Sequence, residues 1–152
     1  MSQQLRRVEA ELDRLGQAHP AVIQLQSIPG VGPRTAEAIV AFLDDPQRFR
    51  HSKQVGAYFG LVPRQDQSGG RDHRGRITRE GPATMRQLLV EAVWQSVRHS
   101  PTVKAYFERL QRNDPDRKKI AIVATAHYLA RVMWVMLKHG TLGKEQLTAL
   151  AA

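Results

Sequence analysis

The sequence predicts an all-α fold: a compact helical domain interrupted by one long loop rich in arginine and glycine. Apolar residues recur at spacings of three and four along most of the 152 residues, as on one face of a helix. Glycine, proline and capping residues separate these stretches. Residues 61–81 are the exception, because they lack helical periodicity and contain five arginines and four glycines. A short β-hairpin in that segment, pairing residues 61–62 with residues 76–78, is a further expectation.

Four helices are predicted before the loop. The first spans residues 1–18, and the next two, residues 21–27 and 33–43, flank a glycine-rich turn. Ser52 is positioned to cap a short fourth helix that ends before Gly60. The first helix has a narrow apolar seam of the kind seen in coiled coils, formed by Leu5, Val8, Leu12 and Leu15.

Three helices are predicted after the loop. A Gly-Pro pair at residues 81–82 precedes the first, and a Ser-Pro cap at residues 100–101 starts the second. The third covers residues 117–138. Its stretch from 120 to 126 is apolar nearly all round, which predicts the central core helix. Residues 141–152 are expected to form a tail.

The composition favours a polyanionic partner. The chain has 23 Lys and Arg against 14 Asp and Glu, a formal net charge of +9 and a pI near 10.6. Such a balance favours nucleic acid, with a basic but inert surface as the alternative. The lack of cysteine excludes disulfides, thiolate zinc sites and thiol catalysis. With no 18-residue apolar run and no signal peptide, we expect no membrane partner and a cytoplasmic, nucleoid-associated protein of a prokaryote.

The most informative stretch is residues 28–36, which read Ile-Pro-Gly-Val-Gly-Pro-Arg-Thr-Ala. A glycine turn between two apolar helices is typical of a helix-hairpin-helix, a module that binds the DNA backbone. Gly30 and Gly32 can both take positive φ and have no side chain, which allows a tight turn that a phosphate can approach. Their amides, with those of Arg34 and Thr35 in the next helix, form an anion site. The alternative is an ordinary helix-turn-helix corner without a ligand.

Basic residues continue downstream of the turn. Five arginines fall in the loop, and a sixth lies on the helix that follows it. Phosphate binding is favoured for this strip because the glycine turn precedes it, whereas simple solvation of the arginines is the alternative. The predicted nucleic-acid-binding cations of the short helix and the strip are Lys53, Arg64, Arg71, Arg74, Arg76, Arg79 and Arg86.

Ser68 is the candidate nucleophile. It stands in Gln67-Ser68-Gly69-Gly70 within the arginine-rich loop. A serine nucleophile needs exposure, a free backbone and cations that stabilise a phosphorane-like transition state. The alternative is a flexible Ser-Gly-Gly turn, and His73 is a less favoured candidate for proton transfer. The histidines show no metal-ligand spacing and no carboxylates cluster, so no metal site is predicted in this chain.

Five motifs, in their order and spacing, resemble one family. They read IPGVGP at residues 28–33, FRHSKQV at 49–55, YFGLVPR at 58–64, SGG at 68–70 and GRITREG at 75–81. Over most of its length the chain resembles the C-terminal transposase domain of the insertion-sequence elements called bridge-RNA-guided recombinases, which are serine-dependent.

The resemblance implies a two-part DNA transposase. In that family a separate N-terminal domain of RNase-H type carries an acidic metal site, a coiled coil links it to the C-terminal domain, and a structured guide RNA selects the DNA. A serine of the C-terminal domain attacks the DNA phosphate. Ser68 matches that serine, although Gln67 stands where many relatives have a small residue.

The resemblance also implies a domain organisation and partners. Residues 1–18 are the stub of the coiled coil, residues 19–140 are the transposase domain, and residues 141–152 are the tail. No cofactor is expected in this chain, because Mg²⁺ belongs to the acidic domain. The full-length protein is expected to be a homo-oligomer that acts on DNA, and this chain alone is expected to be inactive.

Two other functions stay open at this point. One is a non-catalytic helix-hairpin-helix module that binds DNA, and the other is a structural oligomerisation fragment of a transposase. Ser68 and its arginines favour the catalytic reading, because a plain binding module does not need a Ser-Gly-Gly sequence inside a cationic loop.

Overall fold

Seven α-helices and one antiparallel β-hairpin form the described part of the chain. The computed structural model describes residues 2–68 and 71–143, and for residues 63–68 and 71–75 it describes the backbone alone. The helices are α1 (Gln3–Ala18), α2 (Pro20–Leu25), α3 (Pro33–Leu43), α4 (Ser52–Tyr58), α5 (Ala83–His99), α6 (Pro101–Gln111) and α7 (Lys118–His139). The strands are β1 (Pro63–Ser68) and β2 (Arg71–Ile77). The all-α prediction is therefore confirmed in outline, but most of the predicted loop is a hairpin.

Helix α7 is the centre of the core, as the sequence predicts. It packs against α2, α4, α5 and α6, and its residues from Thr125 to Met136 are mostly buried. At the start of its apolar stretch, Ile120 is 61% exposed in the solvent-facing first turn of α7. Residues Pro115–His139 are long and apolar enough to cross a membrane, yet 56% of their most apolar 18-residue window is buried inside the fold.

Helix α1 turns its apolar seam outward. The side chains of Leu5, Val8, Leu12 and Leu15 are 39–56% exposed. The opposite side of α1 approaches α3, where Gly16 is buried against the carboxylate of Glu37. Polar contacts with α3 therefore hold α1 on the body, and the seam lies free on the described surface.

Several element boundaries differ from the prediction for local reasons. Helix α2 ends at Leu25, because the next two residues form the turn instead of a last helical turn. The N-cap of α4 is His51, not Ser52, and the Gln54 carboxamide oxygen accepts from the amide of Arg50 at 2.7 Å. The hairpin strand starts at Pro63, two residues later than expected.

The beginning of the predicted tail is tied to α2. The side-chain amide of Gln24 donates to the carbonyl of Thr141 at 2.7 Å, and the backbone N–H of Gly143 donates to the hydroxyl of Ser27 at 2.9 Å. Residues 141–143 are thus part of the packed fold, and residues 144–152 lie outside the described residues.

Candidate nucleic-acid interface

The glycine turn between α2 and α3 is anchored by buried apolar residues on both sides. Ile28 and Val31 are in the core, and the amide of Val31 donates to the carbonyl of Ile28 at 3.1 Å. Gly30 has a φ of +92°, in the region that favours glycine. A Cβ at this position would overlap the backbone amide nitrogen of Ser96 on α5. Gly30 therefore lets the turn pack directly on the backbone of α5.

Gly32 does not use the positive φ that is open to a glycine. Its φ is −85° and its ψ is 174°, because it is the N-cap of α3 and adopts the extended backbone of that position. No described atom lies within 4 Å of where its Cβ would be. The turn is therefore tight at Gly30 and open at Gly32.

The N-terminus of α3 has free backbone donors. Its first intrahelical bond runs from the amide of Ala36 to the carbonyl of Gly32, at 3.1 Å. The amides of Arg34 and Thr35 precede that bond and have no acceptor within the helix, and Gly32 provides no side-chain cap. Since a helix N-terminus also carries partial positive charge, this end favours an anion.

A cleft of about 580 Å³ lies beside the turn. One wall is α3 and the turn, and the other is α5, including Trp94, Gln95 and Arg98. Trp94 is half-buried, and its ring lies 6.2 Å from that of Phe107. Sequence reasoning missed this wall because α5 is distant in sequence and is brought to the turn only by tertiary packing.

Arg34 is engaged by carboxylates of the protein itself. Its guanidinium donates to Glu37 at 2.8 Å and to Asp13 on α1 at 2.9 Å, and these acids raise its pKa. It also donates to the backbone carbonyl of Glu9 at 3.1 Å. Thr35 is buried at 8% exposure and lines the cleft. In this structure Arg34 joins α1 to α3 instead of facing the cleft with free donors.

The β-hairpin places Ser68 at its tip, at the end of β1. Ser68 is paired with Arg71, and Asp66 with His73, in an antiparallel register. An irregularity of the register falls between Pro63 and Gln65, and Arg74 is paired with Gln65. His73 is thus paired two positions away from Ser68 along the ribbon. Residues 69–70 lie outside the described residues.

The expected pairing of residues 61–62 with residues 76–78 is partly right. The amide of Thr78 donates to the carbonyl of Val62 at 3.0 Å and so extends the hairpin ladder toward its root. Sequence periodicity gave little sign of the longer strands, because arginine, aspartate and glycine dominate both of them and their pairing is non-local.

The root of the hairpin is held by close backbone contacts and by Arg86. A Cβ on Gly60 would overlap the carbonyl oxygen of Glu80. The Arg86 guanidinium donates to the carbonyls of Glu80 at 3.2 Å, Gly81 at 3.1 Å and Phe59 at 3.4 Å. Arg86 was predicted to bind phosphate, but in this structure it fastens the hairpin to α4 and α5.

The other predicted cations fall into two groups. Lys53, Arg76 and Arg79 are exposed. For Arg64, Arg71 and Arg74 only the backbone is described, and all three lie on the hairpin strands. The predicted cations on α4, the hairpin and its root thus follow one another along consecutive elements of the chain.

His127 is a buried group that the sequence did not single out. Burial, with a smaller contribution from the charges of Arg131 and Lys53, lowers its pKa to about 4. Its Nε2 is buried without a hydrogen-bond partner among the described residues. A Cβ on Gly56 would overlap the imidazole, so α4 and α7 are in direct contact here. The signal was a glycine inside a helix, which often marks close packing.

Among the described residues, no group of three His, Asp or Glu side chains converges on a point that could hold a metal ion. The described carboxylates beside basic residues are in ion pairs on the helices, as in the Arg34 cluster.

The fold and the site define a basic, mostly helical domain with a glycine turn, an open helix N-terminus and an arginine-bearing hairpin. The model of the family described as "Transposase IS116/IS110/IS902 family" matches residues 23–108, which include all three features. The chain belongs to this transposase family.

Relatives in several bacteria are similar over most of the chain. A "Probable family 20 transposase" of Pseudomonas aeruginosa is 31% identical over 140 residues, which are 87% of this chain and 41% of that protein. The "Transposase for insertion sequence element IS1111A" of Coxiella burnetii is 34% identical over 137 residues, covering 85% of this chain and 36% of the relative. A "Pilin gene-inverting protein" of Moraxella lacunata is 28% identical over 116 residues, 75% of this chain and 36% of its own. The chain therefore spans about two fifths of the length of these relatives.

Proposed function

We propose that this chain is the DNA-binding, serine-bearing C-terminal part of a DNA transposase, which acts in strand cleavage and exchange together with a separate acidic domain. The observation that carries the proposal is the family match, because it covers both the glycine turn and the hairpin that contains Ser68. The relatives described above are named as two transposases and a gene-inverting protein, and these names describe proteins that rearrange DNA.

In this proposal the glycine turn works as a helix-hairpin-helix that binds a DNA phosphate. The open side of Gly32 gives a phosphate room, and the free amides of Arg34 and Thr35 donate to it. Gly30 allows the turn to pack closely against the backbone of α5. The Arg34 side chain is left out of this contact, since two carboxylates and a carbonyl already occupy its donors.

A charge placed at Gly32 tests the turn. Gly32→Glu puts an anion where the phosphate would lie and should weaken DNA binding at least tenfold at fixed salt. The matched control is Ala105→Glu at an exposed position of α6, which changes the net charge by the same amount. Equal affinities of the two folded variants, measured by fluorescence anisotropy, would remove the turn from the interface.

Ser68 is the proposed nucleophile. Its Oγ loses its proton and bonds to the phosphorus of the scissile phosphodiester, the bond from phosphorus to the leaving DNA oxygen breaks, and that oxygen takes up one proton in turn. One phosphate ester replaces another, so the exchange needs no oxidant or reductant. Because directly opposed Cα atoms of an antiparallel pair lie about 4.5–5.5 Å apart, the register makes Arg71 the nearest candidate for stabilising the phosphorane-like charge. Arg64, Arg74, Arg76 and Arg79 are further phosphate ligands.

The adduct tests this role. In a full-length protein that contains the acidic domain, Ser68→Ala should abolish the covalent protein–DNA product, while Gln67→Ala should keep it. Trapping on a labelled DNA followed by denaturing electrophoresis measures it. Adduct formation by the alanine variant would leave the chain as a non-catalytic helix-hairpin-helix module, the second candidate function.

The remaining partners follow from the same proposal. A structured guide RNA selects the DNA, and Mg²⁺ acts in the acidic domain, where carboxylates suit it. The exposed seam of α1 continues into a coiled coil that makes the full-length protein a homo-oligomer. The protein acts in the bacterial cytoplasm, at the nucleoid.

A further inference from the structure

We infer that Ser52, Lys53 and Arg131 form a second phosphate-binding site, on the surface where α4 meets α7, for a backbone phosphate of a nucleic acid. This α4–α7 site uses different elements from the glycine turn and the hairpin. It rests on the proposed function only in taking its anion to be part of a nucleic acid.

A hydrogen bond across the two helices builds the site. The Nε of Arg131 on α7 donates to the hydroxyl oxygen of Ser52, the first residue of α4, at 3.2 Å. Both side chains are half-buried, and Lys53 beside them is exposed. The contact between Gly56 and the His127 ring fixes α4 against α7 one turn further along. The Arg131 guanidinium is thus held in place before any ligand arrives.

The positive charges of this site have no counter-ion in the described structure. Arg131 and Lys53 both lie close enough to His127 to depress its pKa, so they share one neighbourhood. Within the described residues, neither has a carboxylate within 4 Å; the ion pairs there involve Arg14, Arg34 and Lys104. Two cations held near a buried neutral imidazole favour an external anion.

The sequence around the site explains why no internal anion compensates it. Residues 46–62 contain three cations and no Asp or Glu, and residues 117–140 contain five cations and no Asp or Glu. These two acid-free segments include α4 and α7, which pack on one another. In contrast, α1 and α3 contain the acids that occupy Arg34.

The donor set suits a phosphodiester. With Nε bound to Ser52, the two terminal nitrogens of Arg131 have no described partner and can bind two oxygens of one phosphate. The Ser52 hydroxyl accepts from Arg131 and keeps its own hydrogen to donate. Lys53 adds a point charge at the exposed rim. Duplex DNA and folded RNA offer the same diester, so both are used as probes.

The test compares two double variants that remove the same net charge. Lys53→Gln/Arg131→Gln removes the unpaired cations, whereas Arg14→Gln/Lys104→Gln removes two that already have carboxylate partners. Binding of a labelled DNA duplex and of a folded RNA is measured by anisotropy between about 50 and 200 mM salt. The double variant Lys53→Gln/Arg131→Gln should lose at least tenfold in affinity for one or both probes. Its salt slope should fall by about 0.9, because the site contacts one phosphate and each phosphate contact contributes about 0.9 on duplex DNA.

Each outcome decides. A loss on DNA alone, on RNA alone or on both supports the site and identifies its nucleic acid. Equal losses in the two double variants, or none in the first, overturn it. If Lys53→Gln/Arg131→Gln does not fold, the exposed single variant Lys53→Gln must still bind more weakly than the wild type and show a smaller salt slope. Gly32→Glu is measured in parallel: if it binds normally while the α4–α7 variants lose affinity, the turn proposal fails and this site stands.

Discussion

Gly30 and Gly32 belong to the same turn and the same sequence motif, yet their surroundings differ in every respect. Gly30 has a φ of +92°, and a Cβ added to it would overlap the backbone of α5. Gly32 has an ordinary extended backbone and no neighbour within 4 Å of a Cβ. One glycine serves the fold, while the other leaves a helix N-terminus open. The motif predicts the turn, but tertiary packing decides which glycine is buried against α5 and which one stays open.

The cations divide in the same way. Arg34 and Arg86 were predicted to bind phosphate, and in this structure their guanidinium groups bind carboxylates and carbonyls of the protein. Lys53 and Arg131 have no such partners among the described residues. The comparison teaches that a basic residue beside a binding motif becomes a good ligand candidate only once its internal partners are known.

The largest effect that would sharpen this comparison is expected at Gly30. Gly30→Ala forces a non-glycine residue into positive φ and pushes a methyl group into the amide of Ser96. We expect the free energy of unfolding to fall by about 3 kcal/mol or more, since backbone strain and overpacking each cost about 1–3 kcal/mol. Urea denaturation followed by circular dichroism measures it. A loss below about 1 kcal/mol would mean that the turn stands off α5 in solution.

The contact between Gly56 and His127 is the second place where a glycine serves packing, and pH probes it. Because burial lowers the pKa of His127 to about 4, the unfolded chain takes up a proton below pH 6.5 that the folded chain refuses until about pH 4. Stability contributed by the neutral ring is therefore lost as pH falls through this window, by up to about 3 kcal/mol.

The control for this pH effect is the variant His127→Gln, which cannot titrate at this position. Wild type and variant are unfolded in urea at about pH 7 and about pH 4.5. The wild type should lose more stability than the variant between these two values. The same pH dependence in both proteins would show that the ring is solvated in solution.

The sequence predicted those parts of the fold that depend on local chemistry. The bounds of α3 were right because Pro33 starts the helix and Asp44-Asp45-Pro46 ends it. The Ser100 cap was right for the same reason, and its hydroxyl accepts from Val103. The central position of α7 followed from its composition.

The sequence could not predict features that arise between distant segments. The hairpin depends on pairing between its two strands. Strands rich in Arg, Asp and Gly lack the sequence pattern from which such pairing could be predicted. Trp94 reaches the cleft, and Arg131 reaches Ser52, through helix packing over large sequence separations. Ser68 could be named from its neighbours and from the resemblance, but its catalytic role stays a prediction.

A smaller effect is expected at Arg34. Arg34→Gln removes the pairs with Glu37 and Asp13, and we expect a loss of about 1 kcal/mol because the pairs are partly exposed. Hydrogen exchange of α1 should rise selectively, since this guanidinium ties α1 to α3. Arg14→Gln, in an exposed pair within α1, is the control and should leave both quantities unchanged. Unaltered protection of α1 in Arg34→Gln would show that other contacts hold this helix.

The smallest effect on stability is expected at Gly32, and it separates the two glycines most clearly. Gly32→Ala meets no atom and needs no unusual φ. Alanine is a poorer N-cap than glycine, but it also reduces the conformational entropy of the unfolded chain by an opposing amount of about 0.4–1 kcal/mol. The free energy of unfolding should therefore change by no more than about 0.5 kcal/mol.

If a phosphate approaches the open N-terminus of α3, the added methyl group should still weaken DNA binding, so this variant should lose affinity while keeping its stability. Measured beside Gly30→Ala in the same urea and anisotropy experiments, a stability loss as large as that of Gly30→Ala would erase the distinction between the packed and the open glycine.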